Sequence, residues 1–212
     1  AQNIDEWMTD WNTVDNLLGE VFSRARVNIT KDTSDEEAEA YFKNMMATMY
    51  QPVSDMGNRL NKKLVESGFT PTNFELPLKK LKSEIALYRE ENIPLVIRQQ
   101  GLSMEYSKTT GSQSVQWEGK DTTLEELKLV FEDPNRDRRE KAWRLMMNRW
   151  LQDRETFNGL WTQLYDLRQE MAKNAGYDNY LAYRWEEFKR FDYTPADTET
   201  FHNAIEQVVV PA

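Results

Sequence analysis

Apolar side chains recur at steps of three and four residues along most of the chain, which is the spacing of one face of an α-helix. The first such series runs over residues 4–25. Asn3 followed by Glu6, and later Ser34 followed by Glu37, have the spacing of a capping box, in which side chain and backbone exchange hydrogen bonds at a helix start. The pattern therefore predicts two helices in the first part of the chain, beginning near these two sites.

Proline and glycine predict where the next helices end. Pro52 lacks a backbone N–H, so we expect a kink or break there in the second helix. Gly68 has the position of a glycine just after a helix. Residues 69–77 predict a loop, residues 78–89 a further helix, and Pro94 an interruption before the helical pattern resumes.

One apolar stripe, rich in Trp and Met, extends from Asp133-Pro134 to Asn174 and predicts a single long helix with Asp133 as its N-cap. About 40 residues of helix would be about 60 Å long, whereas a compact domain of this chain length has a diameter of roughly 43 Å. We therefore expect either a bend near Gly159 or a helix that overhangs the domain. Asp178 and Thr194 predict the N-caps of two shorter helices that follow.

One segment predicts β-structure. Residues 114–117 alternate between polar and apolar, as in a strand, and Glu118-Gly119 is a turn pair. Residues 120–122 would then form the second strand, which runs back along the first. The predicted fold class is thus mainly α, an elongated multi-helix array with one short β-hairpin near residues 114–122. Residues 1–212 read as one helical region with no internal repeat or flexible linker, and we expect any sub-boundary near residues 108–122.

Composition and charge exclude several functions. The 212 residues carry a formal net charge of −9, which would repel nucleic acid and anionic membranes, so we expect neither as a partner. No apolar run approaches the ~20 residues that span a bilayer. The absence of cysteine rules out thiolate metal sites and disulfides but does not decide the compartment. We expect a cytoplasmic protein.

Candidate chemistry is sparse, and each candidate has a simpler interpretation. His202 and Glu206 have the i,i+4 spacing of two metal ligands on one helix face, but a surface histidine near a glutamate is the favoured interpretation. The acidic segment 32–37 lacks the alternating ligands and the glycine of a calcium loop, so it is interpreted as a helix cap. The basic residues of 136–154 predict an ion-paired helix face, and the Trp/Met stripe predicts core packing. Neither a phosphate-binding glycine loop nor a nucleophile elbow is present.

From the residues alone, we therefore assign no catalytic residue and no metal ligand, and the substrate-binding residues stay unknown. The motifs nevertheless resemble a known family. They are Glu91-Asn92-Ile93-Pro94-Leu95, Val115-Gln116-Trp117-Glu118-Gly119, Asp133-Pro134-Asn135-Arg136, Arg139-Glu140-Lys141-Ala142-Trp143, Leu151-Gln152-Asp153-Arg154, Ala172-Lys173-Asn174-Ala175-Gly176-Tyr177, Asn179-Tyr180 and Arg190-Phe191-Asp192-Tyr193-Thr194-Pro195.

In order and spacing these motifs resemble the oligoendopeptidase F branch of the thimet-oligopeptidase-like zinc metallopeptidases, over essentially the whole chain. The resemblance implies a nearly all-helical peptidase whose two lobes enclose a substrate channel for short unfolded peptides. It implies an H-E-x-x-H helix and a later glutamate, in which the histidines and the later glutamate hold zinc and the first glutamate activates water. That motif is absent here, and His202 matches none of its ligands.

The resemblance thus implies the N-terminal region only, inactive by itself, with zinc as cofactor of the full-length enzyme. The missing C-terminal catalytic portion would be its partner and short peptides the substrates of the intact enzyme. The apolar end at residues 208–212 fits a truncated chain. This hypothesis predicts exposed apolar surface near residues 143–175 and 201–212, with self-association. The alternative hypothesis is a free-standing helical scaffold that binds peptides or a protein without catalysis.

Overall fold

A computed structural model describes residues 4–212 of the chain. In this part of the chain α-helix dominates, and the β-structure consists of one antiparallel two-stranded hairpin. The predicted mainly α class with a single short hairpin is therefore confirmed. The predicted cap at Asn3 lies outside the described residues.

The elements in chain order have the following bounds. The helices are α1 (Ile4–Lys31), α2 (Glu36–Glu66), α3 (Glu75–Leu87), α4 (Asn92–Gly111), α5 (Leu124–Leu127), α6 (Arg136–Gln152), α7 (Arg154–Asn174), α8 (Tyr180–Glu187) and α9 (Pro195–Ala204). The strands are β1 (Ser114–Trp117) and β2 (Lys120–Thr123), between α4 and α5. A 3₁₀ turn, Lys128–Glu132, precedes α6, and a π-helical turn, Ile205–Val209, follows α9.

The chain divides into two compact units. Unit 1 contains the residues up to Gln51 together with Val96–Tyr165, and unit 2 contains Pro52–Leu95 and Asp166–Ala212. The division falls within α2, α4 and α7. Residues 108–122 lie inside unit 1, and the sub-boundary expected there stays a prediction.

Unit 1 has two apolar clusters. The first joins the end of α1 to the start of α2, and its buried members are Ala25, Phe42, Met45 and Met46. The second joins the hairpin to α5 and α6, and its buried members are Val115, Trp117, Leu124, Leu127, Ala142 and Met146. A leucine as fully buried as Leu127 contributes about 2 kcal/mol relative to an exposed one. The hairpin is thus held by its packing on the two helices that follow it.

The hairpin forms as predicted. Ser114 pairs with Thr123 and Trp117 with Lys120. Glu118 and Gly119 both have positive φ, 49° and 81°, which is the geometry of a type I′ turn. Its twist matches that of the paired strands, so the sequence pair Glu-Gly at this point sets the register.

Unit 2 contains a buried polar connection between the start of α4 and the end of α7. The Asn92 side-chain amide donates to the carbonyl of Met171 at 2.9 Å, and Asn174 donates to Asn92 Oδ1 at 2.9 Å. Arg89 donates to the carbonyls of Asn174 and Ala175 at 3.1 and 3.0 Å. The last carbonyls of a helix have no partner within the helix, so these side chains satisfy groups at the end of α7.

Several helix starts lie one or two residues beyond the predicted caps. Asp35, and not Ser34, caps α2, because its carboxylate accepts from the amide of Ala38 at 2.9 Å. Ser34 instead donates to Asp32. Asn135 caps α6 in place of Asp133, and Asp133 accepts from the Asn135 amide at 2.8 Å. At both sites an earlier aspartate, Asp32 three residues before the cap of α2 and Asp133 two residues before that of α6, forms the turn that leads into the helix.

A similar shift occurs at α8, where Asn179 and not Asp178 is the cap. Thr194 caps α9 in a complete capping box with Asp197, as predicted. Gly68 follows α2 with φ of 68°, the left-handed conformation expected just after a helix. Pro94 lies in the first turn of α4, where a missing N–H costs no helical hydrogen bond.

Of the kink or break predicted at Pro52, the break is wrong, since α2 continues through this residue to Glu66, and the kink stays a prediction. The predicted continuous helix from Asp133 to Asn174 is also wrong, since α6 ends at Gln152 and α7 begins at Arg154. The interruption is at Asp153, with φ of −96° and ψ of 11°. Gly159 lies inside α7, so the helix is interrupted six residues before the glycine at which a bend was expected.

The position of Gly159 leads to a stability prediction. A Cβ atom built on this glycine meets no atom within 4 Å, so alanine fits without a clash. We expect Gly159→Ala to raise the free energy of unfolding by up to about 1 kcal/mol, because glycine is the poorer helix former. Thermal unfolding followed by circular dichroism measures the change.

Gly176→Ala is the control for this experiment. Gly176 has φ of 84°, which an alanine adopts only with strain, so this variant should be less stable. A Gly159→Ala variant that melts below the parent protein would contradict the prediction.

Candidate functional site

The sequence-derived metal candidates do not assemble into a site. His202 lies in α9 and Glu206 in the π-helical turn after it, and both are exposed. Among residues 4–212, no three His, Cys, Asp or Glu side chains are grouped so that they could hold a metal ion. Within this part of the chain, His202 and Glu206 therefore lack a third ligand.

The acidic segment 32–37 forms the turn and cap of α2. The Asp32 carboxylate accepts from the amide and the hydroxyl of Ser34 at 2.9 and 2.6 Å. These two hydrogen bonds hold the pKa of Asp32 below its usual value. Because Asp35 accepts from the backbone of α2, both carboxylates serve the helix start, and the interpretation as a cap is confirmed.

The basic face of α6 is ion-paired, as predicted. Arg138 donates to Glu118 at 2.9 and 2.8 Å and also pairs with Asp133. Arg144 pairs with Glu140 at 2.7 Å. These pairs neutralise much of the positive charge.

The tryptophan stripe, in contrast, is not core. Trp143, Trp150 and Trp161 are 50%, 45% and 66% exposed. Ala142 and Leu160, each one residue before an exposed tryptophan, are buried, and so are Met171 and Ala175 at the end of the stripe. The prediction of core packing is therefore wrong for the three tryptophans and confirmed for Met171 and Ala175, because periodicity gives the spacing of an apolar face but not which of two neighbouring faces is covered.

One of these exposed tryptophans, Trp150, lines a groove in unit 1 with a volume of about 670 Å³. It is formed by α4, the residues around the hairpin, α5, α6 and α7. Its lining residues are Tyr106, Thr110, Gly111, Gln113, Thr123, Leu124, Glu125, Trp150 and Phe157. The volume lies within the range of small-ligand and peptide side-chain pockets.

Aromatic rings form the walls of this groove, which we call the aromatic groove. The rings of Tyr106 and Phe157 are 5.5 Å apart at 55°, a favourable tilted arrangement. Tyr106 is 52% exposed and Trp150 45% exposed. Clustered exposed aromatic surface of this kind is typical of recognition sites, because it can bury apolar groups of a partner.

A polar connection fixes the geometry of the groove. Gln113 is 2% exposed, and its side-chain amide donates to Asp153 Oδ2 at 2.7 Å. Arg149 donates to the same oxygen at 2.6 Å. The Gln113 hydrogen bond, followed by that of Arg149, lowers the pKa of Asp153, although partial burial opposes this shift.

Asp153 is therefore the residue that interrupts the predicted long helix and also supports the groove. Sequence reasoning missed this role, because Gln113 is 40 residues away from Asp153. The one local signal was the motif Leu151-Gln152-Asp153-Arg154, which places a helix-disfavouring aspartate inside the apolar stripe.

The polar side chains along the groove are engaged in local structure. Thr110 donates to the carbonyls of Tyr106 and Ser107. Thr123 completes the capping box of α5, and Glu125 pairs with Lys128 at 2.6 Å. Among the described residues that line the groove, none forms a nucleophile–base pair.

Comparison with known proteins places this fold. No family model matches the sequence, and no curated protein matches it significantly. PZ peptidase A, solved with an inhibitor, superimposes with a TM-score of 0.91 at 23% identity, over 100% of this chain and 39% of that one. A structure described as oligoendopeptidase F from Bacillus anthracis str. Ames gives 0.91 at 17% identity, over 100% and 40%.

A further structure described as oligoendopeptidase F gives a TM-score of 0.90 at 20% identity, over 98% of this chain and 37% of that one. The chain has the fold of these peptidases. The resemblance drawn from the motifs is thereby confirmed at the level of the fold, and the chain spans about two fifths of the length of each neighbour. In residues 4–212 no helix is long and apolar enough to cross a membrane.

Asp153 leads to a prediction on pH. The pKa of Asp153 is lowered in the folded protein. The ionised carboxylate therefore stabilises the fold at pH values above 3.8, the usual pKa of an aspartate, and this stabilisation is lost as the pH falls through the folded-state pKa. At pH 7 we expect Asp153→Asn to lower the free energy of unfolding by about 1 kcal/mol, because two charge-assisted hydrogen bonds weaken.

Urea unfolding of the parent protein and of Asp153→Asn between pH 7 and pH 3 measures this effect. The difference between their free energies of unfolding should become smaller below pH 4. Asp10→Asn, at an exposed position on α1, is the matched control and should change little. A difference for Asp153→Asn that stays constant over the whole pH range would contradict the assigned role.

Proposed function

We propose that this chain is the N-terminal, channel-forming part of a zinc-dependent oligoendopeptidase that hydrolyses short peptides, and that it is inactive alone. The observation that carries the proposal is the superposition of the whole chain on about two fifths of PZ peptidase A and of the oligoendopeptidase F structures. A helical segment of this kind, aligned over its full length, supports a shared role as one part of a larger peptidase.

The zinc chemistry of the proposed enzyme does not fit the residues of this chain. The sequence holds one histidine, and residues 4–212 contain no metal-holding group of side chains. The zinc ligands and the water-activating glutamate would lie in the missing C-terminal catalytic portion, which we propose as the partner of this chain. We place this enzyme in the cytoplasm as part of the same proposal.

Exposed apolar surface in each unit supports a role within a larger protein. In unit 1, Trp161 and Tyr165 are more than half exposed, and in unit 2, Phe201 and Val208–Val210 are exposed to between 62% and 73%. Such surface is costly in water. We expect the missing portion to cover it, and we expect self-association when the chain is produced alone.

The aromatic groove supports the contribution of this chain to substrate binding. Its walls are Tyr106, Trp150 and Phe157, and its polar side chains are occupied locally. An extended peptide could place an apolar side chain between these rings, which would hold the substrate without contributing to cleavage.

The second candidate function is a free-standing scaffold that binds peptides without catalysis. The groove favours it, because every residue that lines it belongs to unit 1 and none is a metal ligand candidate. The two functions differ in whether a catalytic portion follows in the same gene.

The first test reads the gene beyond the codon for Ala212 and assays the products. We expect an H-E-x-x-H helix and a later glutamate in frame. The chain alone, supplied with zinc, should not hydrolyse internally quenched peptides, whereas co-expression with the downstream polypeptide should give hydrolysis that a chelator abolishes.

Co-expression with a downstream polypeptide whose H-E-x-x-H glutamate is replaced by glutamine is the control and should restore no hydrolysis. A stop codon directly after Ala212 would reject the peptidase role and leave the scaffold function.

The second test concerns the aromatic groove. Trp150→Ala should weaken binding of an apolar pentapeptide to the chain by about five- to tenfold, because a central aromatic contact is lost. Trp161→Ala is the matched control, since Trp161 is exposed on α7 but does not line the groove. Calorimetry gives both affinities, and equal losses in the two variants would argue against the groove as the binding site.

A further inference from the structure

A second recess in unit 1 has a different chemistry from the aromatic groove. It has a volume of about 410 Å³ and lies along the first turns of α6. Its lining residues are Phe131, Arg136, Arg139, Glu140, Trp143 and Arg144. We call it the arginine recess, because three of its six side chains are guanidinium groups.

The positive charge of the arginine recess is only partly neutralised. Arg144 pairs with Glu140, the one carboxylate in the lining. Arg139 donates to the backbone carbonyls of Asp133 and Pro134 at 2.6 and 3.1 Å, which fixes its guanidinium without cancelling its charge. Arg136 is exposed and has no carboxylate within 4.0 Å among the described residues.

The other acidic groups nearby are already occupied or lie outside the lining. Asp133 and Glu118 both pair with Arg138, which is not part of the recess. Asp137 is exposed in the first turn of α6 and does not line the recess. Three guanidinium groups thus face the recess with one carboxylate, although the chain as a whole carries a net charge of −9.

The aromatic side chains add an apolar wall. Trp143 is half exposed, and Phe131 is half-buried beside it in the lining. A guanidinium group binds a carboxylate through two parallel N–H donors, and an exposed indole can cover an apolar side chain. The recess therefore matches a ligand that presents a carboxylate next to an apolar group.

We propose that the arginine recess binds a carboxylate of a peptide, with the neighbouring apolar side chain of that peptide on Trp143. The carboxylate is held by Arg136 and Arg144, while the fixed guanidinium of Arg139 contributes charge. The peptide as ligand rests on the proposed function, and the carboxylate could be the peptide's C-terminus or an acidic side chain.

The test is calorimetry on the full chain with three N-acetylated tripeptides. The first, Ala-Ala-Phe, has a free C-terminal carboxylate, the second is its C-terminal amide, and the third, Ala-Glu-Phe amide, carries only a side-chain carboxylate. We expect Ala-Ala-Phe amide, which has no carboxylate, to bind at least tenfold more weakly than whichever of the other two peptides binds more tightly. The preferred carboxylate peptide identifies the source of the carboxylate.

The variants locate the binding. The double variant Arg136→Gln, Arg144→Gln should lower the affinity for the preferred carboxylate peptide by at least tenfold. Trp143→Ala should also lower this affinity, but it should leave the preference for a carboxylate over the amide unchanged. Raising the salt concentration should weaken binding to the parent chain, because the ions screen exposed charges. Arg154→Gln, an exposed arginine of unit 1 outside the recess, is the matched control, and circular dichroism confirms that each variant is folded.

Equal binding of all three peptides, unchanged binding by the double arginine variant, or no binding of any peptide would overturn the proposal. The outcome is separable from that of the proposed function. Carboxylate binding by a chain whose gene encodes no catalytic portion would support the recess and reject the peptidase role. Hydrolysis by the reconstituted enzyme, together with no carboxylate binding by the chain, would support the peptidase role and reject the recess.

Discussion

The hydrogen bonds that Gln113 and Arg149 donate to the carboxylate of Asp153 organise much of unit 1. They hold an ionised group at the point where α6 ends and α7 begins. Gln113 comes directly before the hairpin, so the same interaction joins the helix interruption to the β-structure. A buried amide that lost this partner would carry the full cost of desolvation. The aromatic groove is bounded by the elements that meet at this junction.

Unit 2 depends on a comparable connection between side chains and backbone. Asn92 and Arg89 donate to carbonyl groups at the end of α7, and the side chain of Asn174 donates to Asn92 Oδ1. Asn92 and Asn174 belong to two of the motifs that carried the resemblance to oligoendopeptidase F. In unit 1, Lys141 and Trp117 belong to two other motifs, and Lys141 Nζ lies 5.5 Å from the centroid of the Trp117 ring as a cation–π pair. The motifs that could be tested are thus structural contacts, which explains why they predicted the fold correctly.

The aromatic groove and the arginine recess differ in chemistry, although α6 contributes a tryptophan to each. Trp150, near the end of α6, faces an apolar groove whose polar groups are occupied, and Trp143, two turns earlier, borders a recess of guanidinium groups. Both tryptophans belong to one apolar stripe, and both are about half exposed. Aromatic side chains that are not buried in a core remain available to partners, so the exposed tryptophans support the binding roles proposed above.

The sequence by itself determined the local features of this protein. Helical periodicity, the turn pair Glu118-Gly119, the capping box of Thr194 and Gly68 after α2 act over a few residues, and each formed as the pattern predicted. At α6 the sequence predicted the wrong cap, because Asp133 forms the turn that leads into the helix and Asn135, two residues later, is the cap. The tertiary structure alone decided the interruption at Asp153, the exposure of the tryptophans and the assembly of the aromatic groove. Each of these depends on residues far apart in the chain, such as Gln113 and Asp153, and contacts of that range leave no periodic trace in a sequence.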